Sequence, residues 1–208
     1  MQRWQLGLIK AVIWVACLAP LAWLYLRIFH QIGGYVASPS IEILHTIGKT
    51  GLNLLLITLA VTPLRVLTGQ NWLVRLRRLF GLFSFFYLSL HFSAFVWLDL
   101  RFRWRIIFEE IVLRPYLTIG MLALLLLIPL AVTSTRGMQR RLGRRWAKLH
   151  RLIYPIAILG VWHFWWHGKQ ASNEPVVYAG ILALLLGFRI WRGWQRRQLR
   201  VRPVASTP

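Results

Sequence analysis

Residues Leu79–Leu98 read LFGLFSFFYLSLHFSAFVWL, 20 positions with no formal charge and one histidine, His91. At 1.5 Å per residue such a helix is ~30 Å long, the thickness of a bilayer's hydrocarbon core. Arg77 and Arg78 stand just before the stretch and Asp99 just after it, so charge marks both of its ends. It reads as a membrane-spanning helix. The rest of the chain repeats the pattern, with uncharged runs at 11–26, 51–64, 115–135, 152–168 and 175–188. The second and sixth of these six spans hold only 14 uncharged residues each. Snorkelling of Lys49 and Arg189 to the headgroups is expected to complete them.

Composition agrees. The 208 residues are 57% hydrophobic, with mean hydropathy +0.54, and 26 Lys and Arg face only 5 Asp and Glu. A basic soluble nucleic-acid binder would carry more polar residues between its charges, so that class is excluded. The expected fold is an all-α integral membrane protein, a six-transmembrane-helix bundle forming one domain over 1–208, with a basic, frayed tail over about 195–208. The N-terminal apolar run continues to Leu26 without a small-residue cleavage site, so it reads as an uncleaved span. One cysteine, Cys17, and no CxxC or CxxCH motif exclude an internal disulfide and c-type haem attachment. No internal repeat is evident.

The charges assign sidedness. Nineteen of the 26 cations fall at the termini and in the turns at 65–78 and 136–151, with no acid among them. The opposite turns hold all five acids: Glu42, Asp99, Glu109, Glu110 and Glu174. The positive-inside rule then places both termini in the cytoplasm. It also leaves no midplane carboxylate of the kind many proton-coupled transporters use.

Six histidines remain as candidates for chemistry. His91 falls ~4 Å and His163 ~7 Å to the outer side of their span centres, while His150 lies ~13 Å toward the cytoplasm. A single intramembrane histidine can simply hydrogen-bond a neighbouring helix. Two at similar depth on two outward-running helices could instead ligate a b-type haem axially. His150 would suit a second cofactor near the inner face, with Pro155 as a kink between it and His163. His167 shares a face with His163 and is a rival at the interface, His30 reads as a loop residue, and His45 as a minor ligand or partner candidate. Gly48-Lys49-Thr50 lacks the earlier glycine of a P-loop, and no GxGxxG, GxSxG or HExxH motif occurs.

Several segments carry a resemblance: Val61-Thr62-Pro63-Leu64, Arg77-Arg78-Leu79-Phe80-Gly81-Leu82 with His91, and Arg114-Pro115-Tyr116-Leu117-Thr118-Ile119-Gly120. Thr133-Ser134-Thr135, Met138-Gln139-Arg140-Arg141-Leu142-Gly143, Trp146 to His150, His163 and Tyr178-Ala179-Gly180 complete the set. Together they resemble the ferric-reductase-like transmembrane family, and within it the haem-binding membrane subunits of bacterial periplasmic protein-methionine-sulfoxide reductase systems. That resemblance implies an electron-transfer subunit of the bacterial inner membrane, using haem b and associated also with FMN. The donor would be the quinone pool or a cytosolic flavin reductase. The acceptor would be a periplasmic molybdopterin-containing subunit that reduces methionine sulfoxide in proteins. His91, His150 and His163 match the family's haem-associated histidines. Relatives with two bis-His haems carry a further histidine where this chain has Arg77, a residue suited to a flavin phosphate or a haem propionate. The segment Arg101-Phe102-Arg103-Trp104-Arg105 is a candidate docking surface for the soluble partner. A stand-alone ferric reductase-type cytochrome b and a small cofactor-free transporter are the alternatives.

Overall fold

The computed structural model describes residues 3–167 and 173–201. Among them the regular structure is entirely helical: α1 (Arg3–Phe29), α2 (Pro39–Thr68), α3 (Val74–Ala94), α4 (Trp104–Leu113), α5 (Pro115–Val132), α6 (Arg136–Leu142), α7 (Arg144–Leu149), α8 (Ile153–His167) and α9 (Glu174–Val201). A π-helical turn, Phe95–Asp99, extends α3, and 3₁₀ turns precede α3 and α8. The six-helix membrane bundle expected from the sequence is the one that forms, from α1, α2, α3, α5, α8 and α9. Five of these are long and apolar enough to cross a bilayer. The sixth, α8, has 15 residues and spans ~22 Å. The chain is a multi-pass membrane protein.

α2 occupies the centre. Half of its apolar window is buried inside the bundle, the largest share of any of the five long spans. Leu52, Leu55, Leu56 and Leu59 pack with Leu127, Leu130, Ile156, Val161 and Leu182 of α5, α8 and α9. Ile47 and Leu54 pack instead with Cys17, Leu24, Phe83 and Tyr87 of α1 and α3. Small residues let the helices approach, as membrane bundles require. A Cβ on Gly51 would lie 2.8 Å from Leu88 of α3, and beside it Ser84 Oγ donates to the Gly51 carbonyl at 2.9 Å. Cys17 is buried as a small hydrophobe, and its carbonyl accepts from Tyr87 Oη at 2.5 Å.

Several details depart from the sequence reading. α2 and α9 are not short: they run to 30 and 28 residues, with Lys49 and Arg189 inside them. Neither of these cations simply snorkels. Lys49 Nζ meets both carboxylate oxygens of Glu174 at 2.7 and 2.8 Å, one turn from Tyr178 Oη, which donates to Asn53 Oδ1 at 2.6 Å. Arg189 turns inward to the Leu59 carbonyl at 2.7 Å. These pairs show α2 and α9 running in the same direction. The chain between Asp99 and Arg114 is not a plain loop but holds α4, an amphipathic helix that buries Ile107 and leaves Trp104, Phe108 and Val112 exposed. α9 stays helical past Trp194 to Val201, so the tail does not fray where expected, and residues 202–208 lie outside the described part.

Candidate functional site

The structure brings His91 of α3 and His163 of α8 together, edge toward ring. Their ring centroids are 6.3 Å apart and their planes cross at 79°. Each ring is held by a neighbouring helix in the same way. His91 Nδ1 is 3.0 Å from the Leu44 carbonyl of α2, and His163 Nδ1 is 2.7 Å from the Tyr116 carbonyl of α5. A carbonyl only accepts, so both Nδ1 atoms carry the proton and the lone pair of each neutral imidazole resides on Nε2. This is the second-shell arrangement that orients metal-ligating histidines.

Glycines make the contacts possible. One turn after each acceptor carbonyl stands Gly48 or Gly120. A Cβ there would lie 2.9 Å from His91 Nδ1 or 2.8 Å from His163 Nδ1. Each imidazole therefore packs against a helix at a position that carries no side chain.

The two halves are copies of one device. In both, the histidine follows its carbonyl partner by 47 residues, and the second set lies 72 positions after the first. Thr46-Ile47-Gly48 recurs as Thr118-Ile119-Gly120, and Leu59-Ala60-Val61-Thr62 recurs as Leu130-Ala131-Val132-Thr133. The absence of an internal repeat in the sequence reading is thus corrected. α2–α3 and α5–α8 are corresponding antiparallel hairpins, and this recurrence is the signal by which Gly48 and Gly120 could have been found.

The geometry suits an iron porphyrin. Metal–imidazole bonds are ~2 Å and a ring centroid lies ~1 Å behind its Nε2, so two imidazoles on opposite sides of one metal stand ~6 Å apart. The two histidines would hold such an iron, and the porphyrin would supply its remaining donors. Among the described residues no group of three or more His, Cys, Asp or Glu could hold a bare metal ion.

His150 is placed differently. It does not share the helix of His163, because it sits in the 3₁₀ turn His150–Leu152 before α8. Pro155 is in the first turn of α8, where its missing N–H costs nothing. The preceding segment builds the turn. Thr135 caps α6 by accepting from the Met138 amide at 3.2 Å. Gly143 separates α6 from α7 at φ 50° and ψ −121°, a backbone state that glycine adopts readily and other residues rarely do. Trp146 Nε1 then donates to the Thr133 carbonyl at 2.9 Å. The His150 ring stacks on Trp146 at 3.9 Å, with Nδ1 at 3.1 Å from the Trp146 carbonyl. Arg77 of α3 approaches this end of the bundle, its charge acting on His150 and Arg189. His45 and His30 are exposed, the former 6.4 Å from the Phe164 ring. The side chain of His167 lies outside the described part.

Known proteins resemble the chain along most of its length. The family described as "Ferric reductase like transmembrane component" matches residues 12–161. A protein of Xanthomonas campestris pv. campestris (strain B100) named "Protein-methionine-sulfoxide reductase heme-binding subunit MsrQ" is 53% identical over 203 residues, covering 96% of this chain and 93% of the relative. Proteins of the same name from Xanthomonas axonopodis pv. citri (strain 306) and Herminiimonas arsenicoxydans are 50% and 46% identical. The first covers 96% of this chain and 94% of the relative, the second 93% and 89%. With such identity along nearly its whole length, and the family's helices around its paired histidines, the chain belongs to the MsrQ branch of the ferric-reductase-like transmembrane family.

Proposed function

We propose that the chain is the membrane electron-transfer subunit of a protein-methionine-sulfoxide reductase, with a b-type haem held between His91 and His163. One observation carries this reading: two imidazoles 6.3 Å apart, each oriented by a carbonyl of a neighbouring helix. The relatives' printed name, a heme-binding subunit of such a reductase, supports it. A haem bound there supplies a one-electron centre whose potential its surroundings tune. The chain's own residues do the positioning. α2 and α5 hold the Nδ1 protons, Gly48 and Gly120 keep the backbones close, and the apolar core around Leu52, Leu55 and Val161 excludes water.

In this reading 1–208 form one domain in the bacterial inner membrane, with both termini cytoplasmic. Electrons come from the quinone pool or a cytosolic flavin reductase, and His150 and Arg77 are the cofactor residues at that end, where FMN is the second cofactor. The acceptor is a periplasmic molybdopterin-containing subunit that docks on Arg101, Arg103 and Trp104. These residues are exposed at the turn leading into α4, where Arg101 and Phe102 adopt positive φ. Alanine at Arg101, Arg103 and Trp104 is expected to slow partner reduction at least about tenfold, the loss of one binding hot spot. Unchanged reduction would remove the loop from the interface.

The deciding experiment is a reduced-minus-oxidised visible spectrum of the detergent-purified chain, with His91→Ala and His163→Ala beside it. A b-type spectrum lost or sharply altered in both variants is expected. A colourless protein despite haem supply would overturn the reading in favour of a cofactor-free transporter. Co-purification with a periplasmic molybdoenzyme separates the proposed subunit from a stand-alone ferric reductase.

A further inference from the structure

A charge pair adjoins the paired imidazoles. Lys49 stands inside α2 one residue after Gly48, where a Cβ would lie 2.9 Å from His91 Nδ1. An ionisable side chain at such depth in a span is costly, and it ordinarily marks function. Its Nζ is gripped by both carboxylate oxygens of Glu174, at 2.7 and 2.8 Å, so the two charges are fixed relative to each other. The same cluster reaches the second imidazole. Phe164, the residue after His163, contacts the rings of His45 and Tyr178 at centroid distances of 6.4 and 5.0 Å, and His45 acts electrostatically on Glu174.

Fastening α9 to α2 does not require charge. One turn along, Tyr178 Oη donates to Asn53 Oδ1 at 2.6 Å and joins the same two helices through neutral groups. An ion pair held inside a membrane span is poor at stabilising a fold, because neutral partners of similar size hold as well. The other ion pairs among the described residues do different work. Arg27–Glu42 joins α1 to the start of α2, and Arg105–Glu109 and Arg114–Glu110 are local pairs at α4. What Lys49 and Glu174 add, and Asn53 and Tyr178 do not, is a field at His91 and His163.

We propose that Lys49 and Glu174 set the reduction potential of the centre between His91 and His163, a role that rests on the haem reading above. Withdrawing an electron from the iron adds one positive charge there. A cation nearby opposes that change and a carboxylate favours it. The two side chains act in opposite senses, so the pair holds the potential at a value that neither charge alone would give.

The test is a potentiometric titration of the haem-loaded, detergent-purified chain, with melting midpoints beside it. All variants are measured at one pH, so that His45 contributes equally throughout. Glu174→Gln is expected to raise the midpoint potential and Lys49→Met to lower it. Each shift is about tenfold in the reduction equilibrium, about 59 mV for one electron. Lys49→Arg keeps the charge and stays with the wild type, and the neutral double variant Lys49→Met/Glu174→Gln falls between the singles. Tyr178→Phe breaks the neutral tie and lowers the melting midpoint without moving the potential. Shifts of the same sign, a shift in only one single variant, or no shift overturn the proposal, as does a Tyr178→Phe shift as large as theirs. Should a single variant not fold, Lys49→Glu/Glu174→Lys keeps the tie with its charges exchanged. The wild type and this exchange are then expected on opposite sides of the neutral double variant, and coincidence of the three overturns the proposal. A wild type without a haem spectrum overturns the haem reading itself, whereas bound haem with an unresponsive potential overturns this inference alone.

Discussion

At the scale of the residue, the paired imidazoles depend on what is missing beneath them. Gly48 and Gly120 clear the helix surfaces on which His91 and His163 lie, and Leu44 and Tyr116 offer carbonyls one turn away. Gly48→Ala or Gly120→Ala would put a methyl within 3 Å of an Nδ1 atom and swing the ring off its carbonyl. Disrupting such an outer-shell contact costs about 10–100-fold in metal affinity. Each variant is expected to lose haem by that factor while keeping its helical circular dichroism. Haem retention equal to wild type would show that the rings tolerate displacement. The histidines were legible in the sequence because a polar side chain in an apolar run stands out. The glycines were not, because a small residue in a membrane helix has many uses, and only the neighbour pressed against it says which applies.

At the scale of the element, one proline and one glycine decide which backbone groups need a partner. Pro63 frees a carbonyl that Arg189 takes, so the two residues are energetically coupled. Pro63→Ala restores the helical N–H. Arg189→Gln is therefore expected to destabilise the Pro63→Ala background less than the wild type, by about 1 kcal/mol in a double-mutant cycle of detergent melting. Strict additivity would show that the Leu59 contact carries no weight. Gly143 plays the corresponding part between α6 and α7. Forcing a Cβ into its backbone state costs about 1–3 kcal/mol. Gly143→Ala is expected to release Trp146 from the Thr133 carbonyl, seen as a red-shifted, more quenchable tryptophan emission, with no change in the spectral component that depends on His91 and His163. That segment's sequence gave a family likeness before its shape was known. Its geometry explains it: cap, break, anchor and stacked histidine follow in order.

At the scale of the whole molecule, the charge distribution predicts an orientation and the repeat sets symmetry. Along the sequence, nineteen cations without an acid fall at the termini and in the turns at 65–78 and 136–151, and all five acids fall in the alternate turns. A reporter fused to the C-terminus is expected to fluoresce as a cytoplasmic GFP fusion and to be inactive as an alkaline phosphatase fusion. The reverse pattern would overturn the topology. The two hairpins, α2–α3 and α5–α8, meet at their histidines and share α2 as their common core helix, while α1 and α9 flank them. Lys49–Glu174 and Asn53–Tyr178 tie α9 to α2 along one side.

The sequence by itself determined the membrane class, the all-helical bundle, the distribution of charge between its ends and the similar depth of His91 and His163. Those properties are one-dimensional: apolar length must match bilayer thickness, and position along a helix is depth. Tertiary structure alone decided the rest. Lys49 and Arg189 sit inside longer helices because a partner, Glu174 or the Leu59 carbonyl, satisfies each of them there. His150 lies outside α8 because it sits in the 3₁₀ turn that precedes that helix. Arg77 and Arg189 met on Tyr154 because α3, α8 and α9 converge, 112 positions of sequence notwithstanding. A side chain's partner depends on which helices pack together and at what rotation, and hydropathy carries neither.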